Sequence, residues 1–209
     1  MQFQLINPEQ WKRKPYFDHY VQGVPCTFSM TVKLEITQLR RRKRKLYPTL
    51  LHGIATVVNR HEEFRTCFDE ENRLGIYDVM FPGYTIFHKE TETFSNSWTE
   101  YFEGYDELLV AYEEDMRQYG GVEGLCAKPG GGGNIFPVSM LPWESFDGFN
   151  LNLQKGFDYL LPIFTLGKFY EEGEKTWLPL AIQVHHGVCD GFHVCRFVAE
   201  LRAYLEKIL

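Results

Sequence analysis

The sequence predicts an α/β sandwich built on a mixed sheet, and three observations carry that prediction. Strand-like runs alternate with helical patterns along the chain, and several strand-like runs are sequence neighbours with no internal repeat. The chain has 209 residues and 44% hydrophobic content, enough for one domain with a substantial core.

Taken in order, Pro8 to Tyr20 is aromatic and basic, with Trp11, Tyr16, Phe17 and Tyr20, and is expected to begin with a short helix. In Pro25 to Ile36 the residues Cys26, Phe28, Met30, Val32, Leu34 and Ile36 share one parity, which predicts a strand. Pro48 opens a helix in which Leu51, Ile54, Ala55 and Val58 follow helical spacing, ending near Arg60. Phe64 to Phe68 and Leu74 to Met80 read as a strand pair around the polar turn Asp69 to Asn72, and Tyr84 to His88 as another short strand. From Trp98 to Tyr119 the pattern is helical, with Leu108, Leu109, Tyr112 and Met116 as the apolar face. The four glycines Gly130 to Gly133 are the strongest break; both halves carry strands and helices, so a surface loop is expected there, not a linker. The remaining strand candidates are Phe136 to Leu141, Phe149 to Leu153, Leu160 to Phe169 and Trp177 to Val184. Val194, Val198, Leu201, Leu205 and Ile208 then form the seam of a C-terminal helix.

A formal charge of −6 gives no general reason to expect nucleic acid. Five cysteines without framework spacing suit a reducing compartment, and Met1 to Gln10 lacks a basic region followed by an apolar one. No stretch approaches the length of a membrane span. A cytoplasmic location is the expectation.

The chemistry concentrates near the end of the chain, where the apolar run Leu178 to Val184 meets His185, His186, Gly187, Val188, Cys189, Asp190 and Gly191. Neighbouring side chains in a strand point to opposite faces, so His185 and His186 cannot share one role. Asp190 sits where a helix N-cap belongs, and Gly191 permits a tight exit from the strand. Two bland readings stand beside a general base: satisfied core histidines with a capping aspartate, or a metal site from His185, His186, Cys189, Asp190 and His193. The spacing disfavours the metal, because adjacent strand histidines diverge.

Other motifs carry similar alternatives. The run Arg40 to Lys45 reads either as a polyanion patch or as a solvated strand-to-helix connection. The glycine run lacks a following Gly-Lys-Ser/Thr, which disfavours a phosphate cradle. Ser139 has no nucleophile elbow and by itself is a strand serine. Cys26, Cys189 and Cys195 read as small, unreactive side chains.

The pattern His-His-x-x-x-Asp-Gly, here His185 to Gly191, is the signature of coenzyme A-dependent acyltransferases. The chain closely resembles the trimeric (type A) chloramphenicol acetyltransferases. The resemblance extends, in family order, over Trp11 to Lys14, Pro25 to Ser29, Glu90 to Ser95, Ser139 to Trp143 and Phe149 to Asn152. It implies a single domain over 1–209, a two-layer sandwich with a mostly antiparallel mixed sheet, and O-acetyl transfer from acetyl-CoA to a chloramphenicol hydroxyl, conferring resistance to that antibiotic. His186 would be the general base and Ser139 the oxyanion donor, with Asp190 and Arg13 paired in support. Tyr20, Cys26, Phe28, Phe94, Phe149 and Leu151 would line the acceptor pocket, and Lys45, Lys168 and Phe169 would lie near coenzyme A. The resemblance implies a homotrimer with sites between subunits, and no metal, nucleic acid or membrane partner.

Three positions depart from the family pattern: His19 and Cys126 replace aromatics expected on the acceptor side, and Phe169 replaces a frequent tyrosine. Two alternatives follow, a same-fold acyltransferase acting on another alcohol, or a non-catalytic polyanion binder using Arg40 to Lys45.

Overall fold

Strand β10, Lys175–His185, is the axis of a seven-stranded sheet, and the computed structural model describes it with the rest of residues 2–153 and 159–208. The expected domain 1–209 thus also spans residues 1, 154–158 and 209, which lie outside the described residues. On one side of β10 runs β2 (Thr27–Glu35), antiparallel; on the other follow β8 (Ile163–Leu166), β7 (Ile135–Met140), β5 (Phe81–His88) and β6 (Thr93–Trp98). Among the described residues only the β5–β7 and β7–β8 strand pairs are parallel, so the sheet is mixed and mostly antiparallel. The short β9 (Tyr170–Glu172) pairs the start of β10. A separate three-stranded sheet joins β1 (Phe3–Leu5), β4 (Leu74–Tyr77) and β3 (Thr66–Phe68).

The period-2 pattern of β10 explains its burial. Leu178, Leu180, Ile182 and Val184 face a core completed by Leu50, Leu51, Ile54 and Val58 of α3 (Leu46–Arg60) and Val194, Phe197 and Leu201 of α5 (Gly191–Lys207). Ala181, Gln183 and His185 face the opposite side and are buried as well. Helix α4 (Tyr105–Tyr119) packs beside α3, and the short α1 (Lys14–Asp18) continues into a π-helical turn, His19–Gly23.

Three expectations need correction. Phe149 to Leu153 is no strand, although its alternation imitates one: the Phe149 N–H donates to Thr31 Oγ1 at 3.3 Å and the Leu151 N–H to Gln183 Oε1 at 2.8 Å. Side chains thus take the place of a ladder, and the segment lies across the β10 face that carries Gln183. The helix expected from Trp98 begins only at Tyr105, after Gly104, where Asp106 and Glu107 suit the positive end of the helix dipole. Trp98 instead ends β6, whose Ser95 and Ser97 are small, polar and buried, a composition that hides a strand. The basic run is partly helical, because α2 (Thr37–Arg41) takes its first two arginines.

Candidate functional site

The two adjacent histidines separate as strand geometry requires. His185 is 1% exposed and its Nδ1 accepts the Gly187 N–H at 3.0 Å, which places its ring proton on Nε2. A Cβ on Gly187 would lie 2.9 Å from that Nδ1, so the turn closes only around glycine. His186 follows the end of β10: its N–H donates to the Cys26 carbonyl at 2.9 Å, continuing the pairing with the β2 side, while its half-exposed ring lies against Tyr20 and Phe28.

That ring is held on three sides. Its Nδ1 lies 3.1 Å from the Cys189 carbonyl oxygen, Tyr20 stacks on it at 3.9 Å and 11°, and Phe28 meets it edge-on at 5.3 Å. A carbonyl oxygen can only accept, so Nδ1 carries a proton, and in the neutral ring Nε2 has the lone pair. A neutral imidazole oriented in this way is prepared to take a proton through Nε2.

Arg13, from the N-terminal segment before α1, ties the corner together. Its Nε donates to the Gly187 carbonyl at 2.8 Å and one terminal nitrogen to the His186 carbonyl at 2.9 Å; the other pairs with Asp190 Oδ2 at 3.1 Å. The carbonyl contacts carry no sequence signal and were not expected. They show the arginine gripping the turn after β10 itself, beyond neutralising an aspartate. Burial pushes the Asp190 carboxyl up, but the Arg13 hydrogen bond and the charges beside it outweigh that and hold it below the usual carboxylate range. Asp190 is also the N-cap of α5, in a capping box with His193 whose Nδ1 accepts the Asp190 N–H at 3.0 Å. That nitrogen lies 2.9 Å from Asp190 Oδ1 too, an ion pair only if the ring were protonated. Burial lowers the His193 pKa, so the neutral, accepting form is the consistent one.

Cys189 is fully buried and burial pushes its thiol well above the ordinary value, which removes it as a thiolate nucleophile. Cys26 sits half-buried beside the His186 corner. No cluster of three metal-ligating side chains occurs among the described residues.

Ser139 lies elsewhere. It occupies β7 opposite Thr165 of β8, which in turn faces Ala181 of β10. Two interstrand steps of about 4.8 Å and five residue rises of about 3.3 Å therefore separate the Ser139 and His186 Cα atoms by roughly 19 Å. Ser139 lines a pocket of about 510 Å³ with Tyr84, Trp98, Cys126 and the glycine loop, and His186 is not among its walls. The expected base and oxyanion donor thus stand in two separate regions of one chain.

The remaining residues divide between these regions. Tyr20 and Phe28 are at the histidine corner. Phe149 and Leu151 lie over Ile163, Thr165 and Gln183 of the sheet, and Phe94 is exposed on β6, cross-strand from Phe87. Cys126 does line the Ser139 pocket; His19 is exposed and contacts the edge of Tyr20. Lys45 is the N-cap residue of α3 and pairs with Glu113, Lys168 is exposed after β8, and the Arg40 guanidinium lies 4.4 Å over the Phe169 ring.

The chain matches a family model described as chloramphenicol acetyltransferase over residues 1–202. It is 59% identical over 208 residues to a chloramphenicol acetyltransferase of Vibrio anguillarum, covering 100% of this chain and 96% of the relative. One from Campylobacter coli is 59% identical over 207 residues, covering 99% and 100%. Among solved structures, a chloramphenicol acetyltransferase superposes with a TM-score of 0.84 at 20% identity, over 98% of this chain and 100% of the other. The Azotobacter vinelandii dihydrolipoamide acetyltransferase superposes at 0.64 and 16% identity, over 93% and 86%.

Proposed function

The chain belongs to the chloramphenicol acetyltransferase family, and from that premise we propose that it moves acetyl from acetyl-CoA to a hydroxyl of chloramphenicol, conferring resistance to that antibiotic. His186 is the general base. Its Nε2 takes the acceptor hydroxyl proton as that oxygen attacks the thioester carbonyl carbon. The tetrahedral oxyanion accepts a hydrogen bond from the Ser139 hydroxyl, worth on the order of 3 kcal/mol. Collapse breaks the C–S bond, and the departing thiolate recovers the proton from the imidazolium. The observation that carries this reading is the Nδ1 contact of His186 to the Cys189 carbonyl, which leaves Nε2 as the lone pair.

The active assembly is a homotrimer in which His186 of one subunit meets Ser139 of the next. Their roughly 19 Å separation within one chain supports this. So does the exposure of Phe87, Phe94, Trp143 and Leu151, apolar side chains suited to a subunit face. Tyr20, Cys26, Phe28, Phe94, Phe149 and Leu151 line the acceptor side. Lys45, Lys168 and Phe169 serve acetyl-CoA, whose phosphates suit the lysine ammonium groups. Residues 1–209 act as one domain. Five free thiols suit the cytoplasm, and no helix among the described residues is long and apolar enough to cross a membrane.

The test is thiol release from acetyl-CoA with and without chloramphenicol. Release that depends on chloramphenicol supports the reading. Release only with a different alcohol would move the chain to a sister acyltransferase, as the changes at His19 and Cys126 allow. Salt-sensitive nucleic-acid binding without release would favour a polyanion binder. Against that last reading, Lys45, Arg44 and Arg40 of the basic run are engaged by Glu113, Tyr105 and Phe169.

A further inference from the structure

The glycine run Gly130 to Gly133 and a buried ion pair on α4 converge on the Ser139 pocket. Asp115 of α4 is 8% exposed, and its Oδ1 accepts from Lys128 Nζ at 2.6 Å. The two side chains are 12% and 16% exposed. The other oxygen accepts from the Thr99 hydroxyl at 2.8 Å, and the Tyr84 hydroxyl completes the chain to Thr99 at 2.9 Å. Burial lifts the Tyr84 pKa to about 12, so it remains a donor. The Lys128 ammonium also lies 3.9 Å from the centroid of the Trp98 ring, which stacks on Phe81. Tyr84, Trp98, Lys128 and Gly130 to Gly132 all line the pocket.

The loop itself is built to lie close. Its entry is tied to β6, since the Ala127 N–H donates to Asn96; its exit is tied to β5, since the Phe81 N–H donates to Asn134. Between those ties Gly130 adopts φ +78°, and a Cβ on Gly131 would lie 2.9 Å from Ile135 Cδ1. Glycines permit this course but do not hold it. Just before them, Lys128 is pinned to Asp115 at 2.6 Å.

We propose that Lys128 is a positioning residue for the acceptor: with Asp115 and Trp98 it latches the glycine loop as a fixed wall of the Ser139 pocket. This rests on the acetyl-transfer reading above. Lys128 need touch no reacting atom; it preserves the shape into which the acceptor fits. Released, the loop opens and the acceptor loses contact surface, while His186 and Ser139 keep their places.

The experiment uses the full chain and compares Lys128→Met, Lys128→Arg and the double variant Asp115→Asn/Lys128→Met. Lys128→Met strands a buried carboxylate and so threatens folding. The double variant removes both charges and is expected to recover thermal stability. Steady-state kinetics with chloramphenicol should show acceptor KM raised on the order of tenfold in Lys128→Met and in the double variant, with kcat and acetyl-CoA KM nearly unchanged. Lys128→Arg should restore part of the loss. In parallel, amide hydrogen exchange at Ala127 and Phe81, the N–H groups that tie the two ends of the loop, should quicken in both Met variants, a readout that needs no turnover. An acceptor KM that returns to the parental value together with stability in the double variant would overturn the proposal, because the pair would then be merely structural. Unchanged exchange at those two N–H groups would overturn it too. If the folded parent protein fails to acetylate chloramphenicol, the functional reading falls, and the latch is judged on exchange alone.

Discussion

The histidine corner and the Ser139 wall, the two halves of the proposed reaction, are ordered by opposite means. At the corner, order comes from charge: Arg13 reaches in from the N-terminal segment, grips the His186 and Gly187 carbonyls and pairs with the Asp190 cap. At the wall, Ser139 is placed by strand register alone, between β5 and β8, in a pocket closed by a glycine loop. The corner fixes a tautomer, which demands hydrogen bonds of defined donor and acceptor sense. The place of Ser139 itself is set by position along β7, for which a ladder suffices. The difference teaches that the proposed base is held by side-chain charge from the N-terminal segment, whereas the proposed oxyanion donor is held by backbone pairing.

The sharpest way to break that comparison is at the base. His186→Ala should lower kcat by roughly 10²–10⁴ with little change in melting temperature. His185→Ala should do the reverse, weakening the fold because it empties a buried site and frees the Gly187 N–H. A folded, inactive His185→Ala beside an active His186→Ala would exchange their roles.

Ser139→Ala should cost about 10²–10³ in kcat. Because the two regions lie apart, co-expressing Ser139→Ala with His186→Ala should regenerate intact sites where a sound histidine meets a sound serine. Absence of any recovery in confirmed mixed assemblies would mean that both groups act within one chain.

A smaller effect is expected from the charges at the corner. The Arg13 and Asp190 side chains are 18% and 38% exposed, so the pair is less desolvated than a core ion pair. Asp190→Asn should therefore cost roughly 1.5–3 kcal/mol, the range for a charged hydrogen bond and less than the 3–5 kcal/mol of a fully buried pair, and Arg13→Val, which also frees the His186 and Gly187 carbonyls, should cost more. Since the folded pKa of Asp190 is depressed, its contribution is complete above the unfolded value of about 3.9 and is lost as pH falls through the lower folded value. Urea titrations from pH 6 to pH 2.5 should show the parent losing stability more steeply below about pH 4 than Asp190→Asn. Parallel curves would show that the carboxylate does not discriminate folded from unfolded chain.

The smallest effects belong to the acceptor wall. Cys126 lines the Ser139 pocket, so Cys126→Phe should lower chloramphenicol KM about fivefold, the equivalent of about 1 kcal/mol of apolar contact, at constant kcat. His19 is exposed at the outer edge of Tyr20, so His19→Phe should change KM less. A larger response from His19 than from Cys126 would reverse their places in the pocket.

Helix α3, β2, β10 and α5 were legible because their apolar periods are long and clean, and each lies within a few residues of its expected bounds. Strand β6 was not, because its buried positions are serines, and Phe149 to Leu153 misled because period-2 alternation does not reveal whether N–H groups meet a neighbouring strand or side chains. The same division runs through the candidate site. Sequence by itself determined that His185 and His186 must diverge, that Asp190 caps a helix and, through the ordered motifs, which family the chain resembles; these are local consequences of strand alternation, helix ends and residue order. Tertiary structure alone decided which ring nitrogen of His186 carries the proton, which carbonyls Arg13 holds, that Lys128 reaches Asp115 and that Ser139 stands far from His186 within the chain. Those facts depend on partners brought together across long stretches of sequence by the sheet, and no local pattern encodes a distance across strands.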